Sequence, residues 1–219
     1  MSIFFSTACT SWFHHVPMPS KEEINSQAHI VARQANGLDP KVARLALTAY
    51  HKAQARGVAQ PTKLAIIDYS KPSTERRFWA FDMRTHKLLY SELVAHGKNS
   101  GEKFATKFSD QNNSLQTSIG LYKTASNHYM GRHGYSLRLV GLDNGFNGNA
   151  MRRAIVMHGA PYVSETFAKQ QGRLGLSWGC PALGMEVHRE VINELKGGNL
   201  IFAYYPDERW LRQSRYLNA

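Results

Sequence analysis

Leu64-Ala-Ile-Ile-Asp68, Arg77-Phe-Trp-Ala-Phe81 and Leu88-Leu-Tyr-Ser-Glu-Leu-Val94 are the stretches that set the fold class. Each is short, rich in β-branched and aromatic side chains, and bounded by turn-forming residues, the pattern of a strand. Asp82-Met-Arg-Thr-His86 lies between the second and third and reads as a hairpin turn. The same texture returns at Ile119–Thr124, Ser136–Val140, Ala154–His158 and Leu200–Tyr205. Helical candidates in this part are short, near 161–171 and 185–196, which predicts a mainly β (α+β) domain. The β-α-β alternation of a dinucleotide-binding sheet is missing.

Upstream of Pro61 the period changes. Residues 20–36 read as a helix, with Ser20 placed to cap it and Glu22 and Glu23 in the first turn, where the helix dipole favours them. Gly37 ends it, and Asp39-Pro40 opens a second helix running to about Arg56, with Gly57 past its end. Val42, Leu45, Ala46 and Ala49 keep helical spacing, so the two form an amphipathic pair packed on something larger. The expected division is 1–19 as a flexible N-terminus or residual targeting segment, 20–60 as the helical pair, and 61–219 as the main domain. Met1-Ser-Ile-Phe-Phe-Ser-Thr-Ala-Cys9 has a short apolar patch, but no Lys, Arg, Asp or Glu precedes Lys21, so it departs from a secretory signal. Ser6-Thr-Ala-Cys9 also lacks the Leu expected three residues before a lipoprotein cysteine.

The chain has 219 residues, with 27 Lys and Arg against 16 Asp and Glu, a formal charge of +11. That balance favours an anionic partner: nucleic acid, an acidic membrane surface or an anionic wall polymer. The basic residues are scattered and accompany no nucleic-acid-binding motif, so no nucleic acid is expected. No apolar run reaches the roughly 18 residues of a membrane span, which excludes a polytopic membrane protein and predicts no stable membrane insertion. A P-loop and a dinucleotide fingerprint are both absent, and no cofactor is expected. His128 and His133 stand too far apart for a short zinc pair, and no metal is expected. Cys9 and Cys180 cannot make a disulfide framework.

The residues able to carry chemistry are His158-Gly159-Ala160 and Ser177-Trp178-Gly179-Cys180-Pro181. A thiolate is a strong nucleophile for acyl transfer once its proton has a taker, and a histidine at a strand end is a rigid perch for that base. Gly179 permits a tight turn, so that amides around Cys180 can face a developing oxyanion. Residue types alone leave a buried structural cysteine as an equal alternative.

Ile155-Val-Met-His158-Gly159 followed by Ser177-Trp-Gly-Cys180-Pro resembles the signature of YkuD-type murein L,D-transpeptidases, most closely the branch described as the murein L,D-transpeptidase catalytic domain family. Trp178 stands where the wider signature has a second histidine, which leaves His158 as the favoured base. Val94-Ala-His96-Gly97-Lys-Asn-Ser-Gly101, His133-Gly-Tyr-Ser-Leu-Arg138 and Gly172-Arg173-Leu-Gly are also similar to that branch, and the resemblance spans roughly 38–206.

The resemblance implies a YkuD-type fold for 61–219 and a cysteine-dependent acyl transfer on peptidoglycan stem peptides, placing the protein in the periplasm or otherwise outside the cytoplasm. Cys180 would be the nucleophile, His158 the base, and the Gly179 and Cys180 amides the oxyanion donors, with the His158-Gly159 backbone orienting the imidazole. Around them, Ser177, Trp178, Arg138, Arg173, Tyr135 and His96 are the expected substrate-binding residues; the arginines suit carboxylates. Transfer to an amine would give 3→3 cross-links with release of D-alanine. The alternatives are an L,D-carboxypeptidase using water at the same site, a cysteine peptidase, and a noncatalytic wall-binding or nucleic-acid-binding protein. The oligomeric state is left open.

Overall fold

A computed structural model describes residues 16–218. Cys9 and most of the expected N-terminal segment lie outside the described residues.

Two helices lead, α1 (Lys21–Gln34) and α2 (Pro40–Ala55). Ser20 and Glu23 form a reciprocal capping box on α1, and Asp39 caps α2 ahead of a proline in its first turn. The strands follow as β1 (Lys63–Asp68), β2 (Phe78–Asp82), β3 (Lys87–Glu92), β4 (Gly120–Thr124), β5 (Tyr129–Gly131), β6 (Gly134–Gly141), β7 (Val156–Gly159), β8 (Ala182–Leu183) and β9 (Leu200–Tyr204). Helices α3 (Glu165–Gln171), α4 (His188–Leu195) and α5 (Glu208–Gln213) are interspersed.

The strands join in one mixed sheet ordered β3-β2-β1-β9-β4-β6-β7-β8, with β5 paired to β6. The β1/β9 and β7/β8 pairs are parallel and the others antiparallel. Beyond β3, the Ala95 amide donates to the Ala182 carbonyl at 2.9 Å, so the first and last strands of the path meet and the sheet nearly closes into a barrel.

Alternation along the strands splits the core in two, because successive side chains face opposite ways. Leu64, Ile66, Trp79, Phe81 and Phe202 face α1, α2 and Trp210 of α5. Ala65, Ile67, Phe78, Ala80, Leu137, Leu139 and Met157 face the barrel interior, together with Val191, Ile192 and Leu195 of α4. Cys180 belongs to this interior cluster. Asp143 ties the C-terminal segment to the sheet by accepting from the Leu121 amide at 2.8 Å and the Ser214 hydroxyl at 2.7 Å. Among the described residues no helix is long and apolar enough to cross a membrane.

Candidate active site

His158 is carried on β7, whose partners hold it from both sides: it pairs with Ser136 of β6 and with Ala182 of β8. Its Nδ1 lies 3.0 Å from the Gly159 carbonyl oxygen. A carbonyl can only accept, so Nδ1 carries the proton and Nε2 keeps its lone pair. Burial pushes the imidazole below its usual titration range, and repulsion from His133 and His188 adds to this, against the Gly159 bond. The ring is therefore neutral near pH 7.

Cys180 lies in the loop entering β8 and is 7% exposed. Its Sγ accepts from the Val156 amide at 3.5 Å and approaches the Ala154 carbonyl at 3.9 Å. Burial raises the thiol above its ordinary range, with Val156 N–H and the Arg153 charge opposing. The resting pair is thus a neutral thiol and a neutral imidazole.

The loop's shape comes from Ser177 and Gly179. Ser177 Oγ donates to the Cys180 carbonyl at 2.7 Å and accepts from the Gly179 amide at 3.1 Å, so one hydroxyl staples the turn. Gly179 has φ +117°, and a Cβ there would sit 2.7 Å from the Gln116 carbonyl oxygen, so glycine is required. The Ser177 bond commits the Gly179 amide, which narrows the expected oxyanion pair: the Cys180 amide has no hydrogen-bond partner among the described residues and is the donor left for the task. Outside the loop, Ser177 N–H donates to His96 O and Lys98 N–H to Ser177 O, both at 2.9 Å, and Thr117 Oγ1 donates to Gly179 O at 3.4 Å.

Cys180 and His158 open onto one cleft of about 440 Å³, shared with Gly159, Ser177, Trp178, Tyr162, Met185, Arg132 and His133. Trp178 is 60% exposed, so its indole is a wall of the cleft more than packing for the loop. Gly159 matters for its lack of a side chain: a Cβ would come within 2.6 Å of the His188 ring.

Four expected binding residues do not line this cleft. His96 is fully buried; its Nδ1 accepts from Arg77 Nη2 at 2.8 Å and its Nε2 donates to Gly101 O at 3.1 Å. Burial and the Arg77 charge lower its pKa to about 4. Tyr135 gives its hydroxyl to Asn193 at 2.7 Å. Arg138 shares a face of β6 with Ser136, but its guanidinium lies 4.4 Å over the Tyr129 ring. Arg173 pairs with Glu102 at 2.8 Å and donates to Leu174 O.

Sequence reasoning missed Arg132 as a cleft residue and weighed His133 only as a metal ligand. Both sit in the turn between β5 and β6, and His133 stacks on His158 with ring centroids 4.5 Å apart and planes at 24°. The available signal was that Arg132-His133-Gly134 directly precedes a strand-like run.

A family model described as the L,D-transpeptidase catalytic domain matches residues 34–204. No curated protein sequence matches the chain. Among solved structures, an L,D-transpeptidase from Mycobacterium smegmatis is 15% identical, with a TM-score of 0.41 over 66% of this chain and 59% of that one. L,D-transpeptidase 3 from Mycobacterium tuberculosis is 14% identical, with a TM-score of 0.39 over 66% and 62%. One from Stackebrandtia nassauensis is 11% identical, with a TM-score of 0.38 over 84% and 90%. The chain thus spans about three fifths of the mycobacterial chains it matches. With the model match running from the last residue of α1 to the end of β9 and enclosing both His158 and Cys180, this chain belongs to the L,D-transpeptidase catalytic domain family.

Proposed function

We propose that this protein is a cysteine-dependent peptidoglycan L,D-transpeptidase. The observation that carries the reading is the convergence of Cys180 and His158 on one cleft, with the imidazole held so that Nε2 is its basic atom. Cys180 Sγ attacks the carbonyl of the third stem residue, next to the terminal D-alanine. Because thiol and imidazole both rest neutral, the thiol proton moves to Nε2 as attack proceeds; no standing ion pair is needed. The Cys180 amide donates to the oxyanion, a contribution that typically amounts to about 3 kcal/mol in acyl transfer. On collapse the C–N bond breaks, His158 returns its proton to the departing D-alanine amine, and a thioester remains. An amine of a neighbouring stem then attacks that thioester, restores the thiol and leaves a 3→3 cross-link.

Residues 20–60 act as a brace on the catalytic domain at 61–219, since α1 and α2 share a core with β1, β2 and β9. The substrate puts the site of action outside the cytoplasmic membrane, and the +11 charge suits an anionic wall.

The test is incubation of the protein and Cys180→Ala with purified disaccharide-tetrapeptides, with products resolved by mass spectrometry. Cysteine-dependent dimers with free D-alanine are the expected result. Tripeptide monomers without dimers would make water the acceptor and the protein an L,D-carboxypeptidase. No product from the folded protein, with sacculus binding intact in Cys180→Ala, would replace the enzyme by a wall-binding protein.

A further inference from the structure

We propose that Arg132 is the residue that selects the substrate, by holding a carboxylate of the stem peptide at the mouth of the cleft; the inference rests on the function proposed above. The cleft needs such a group, and the two arginines expected from the sequence do not line it: Arg138 lies on Tyr129 and Arg173 is paired with Glu102. Arg132 is the one lysine or arginine among the described residues lining the cleft, and no aspartate or glutamate lines it. Its guanidinium has no carboxylate partner within ion-pair distance among the described residues, and it lies 5.5 Å over the Trp178 ring.

Stacking on an indole positions an arginine without using its N–H donors, which stay available for two parallel bonds to a carboxylate. Trp178 is two residues from Cys180 in the loop stapled by Ser177, so the cation is tied to the same turn as the thiol. The other walls, Trp178, Tyr162, Leu176, Met185 and Pro161, are largely apolar. An anionic headgroup on a peptide body matches that division. The two residues flanking the scissile bond of a tetrapeptide stem offer such groups, the terminal carboxylate of D-alanine and a side-chain carboxylate on the third residue. Arg132 discriminates either from its amide, because the amide brings no charge and cannot accept two bonds.

The test compares the protein with Arg132→Gln and Arg132→Lys on three tetrapeptides: unmodified, amidated at the terminus, and amidated on the third side chain. Loss of one charge-assisted bidentate contact is expected to raise KM about tenfold for Arg132→Gln on the unmodified stem, with most of the effect in KM and little in kcat. Amidation of the recognised carboxylate should raise the parent's KM similarly and abolish its sensitivity to Arg132→Gln, which identifies the carboxylate. Arg132→Lys should recover part of the loss, since charge returns without the fork. Turnover of the unmodified stem with KM changed less than about twofold would overturn the assignment. An equal loss on all three stems would overturn it too, marking Arg132 as structural. Absence of turnover by the parent, together with absence of tetrapeptide binding by Cys180→Ala in titration calorimetry, would instead take down the functional reading and this inference with it.

Discussion

Ser177→Ala isolates the element that shapes the Cys180 loop. The hydroxyl is buried and makes two bonds, to the Cys180 carbonyl at 2.7 Å and from the Gly179 amide at 3.1 Å. Removing it leaves a donor and an acceptor without that partner, and each such buried group costs about 1–3 kcal/mol. Allowing for partial rehydration at the cleft wall, the sum is about 2–4 kcal/mol, or roughly 5–15 °C in melting temperature for a domain of this size. The turn also loses its staple, so the thiol and the Cys180 amide drift relative to His158; a misplacement of about 1 Å is worth about a hundredfold in rate. Thermal unfolding followed by circular dichroism, turnover of disaccharide-tetrapeptide, and the rate of Cys180 alkylation by iodoacetamide would be measured together. Slower turnover, a lower melting temperature and faster alkylation are expected, with Ser177→Thr restoring much of each because its Oγ takes the same position. A melting temperature within about 2 °C of the parent, less than about 1 kcal/mol, with full turnover would refute the reasoning.

His158 titrates below the usual 6.5 of histidine, so kcat/KM should rise with pH along a limb whose midpoint lies below that value; removing the His133 charge in His133→Ala should move the limb to higher pH in a pH–rate profile. Gly179→Ala forces an L side chain to φ +117° against the Gln116 carbonyl, which predicts a loss of about 1–3 kcal/mol in urea unfolding and turnover reduced about a hundredfold. His96 has a folded pKa of about 4 against about 6.5 unfolded, so the unfolded chain binds the proton first as pH falls and stability is lost between those values. Urea titrations at pH 7 and pH 4 should therefore show the stability deficit of His96→Gln shrinking by about 3 kcal/mol toward the lower pH.

The sheet was legible where strands carry their own signal. β1, β2, β3, β4, β6, β7 and β9 all coincide with apolar or β-branched runs, and their ends differ from expectation by a residue or two. β5, Tyr129–Gly131, and β8, Ala182–Leu183, are too short to show a period and exist because β6 and β7 offer them an edge. Helix α5 also escaped the reading, although Asp207 is a plain N-cap after Pro206 and Trp210 supplies the buried anchor. In the site, Cys180 and His158 were legible because their motifs surround them in the chain. The rest of the cleft was not, because facing is a tertiary property. Arg138 sits on a promising face of β6 and is drawn onto Tyr129, while Arg132 and His133 look like solvated turn residues until the turn is seen against β7 and the cysteine loop.

The seam of the barrel has a consequence for how the protein would fail on heating. Ala95–Gly97 meets Ser177–Ala182 through bridges at Ala95/Ala182 and Gly97/Ser177, so the stretch that completes the ring is the one that presents the thiol. Those contacts are short and local, whereas the two core clusters extend across the whole sheet. Local opening draws on such short stretches before the core gives way. Inactivation should therefore precede loss of secondary structure, and brief heating followed by cooling should restore turnover so long as the parted edges have not been captured by another chain.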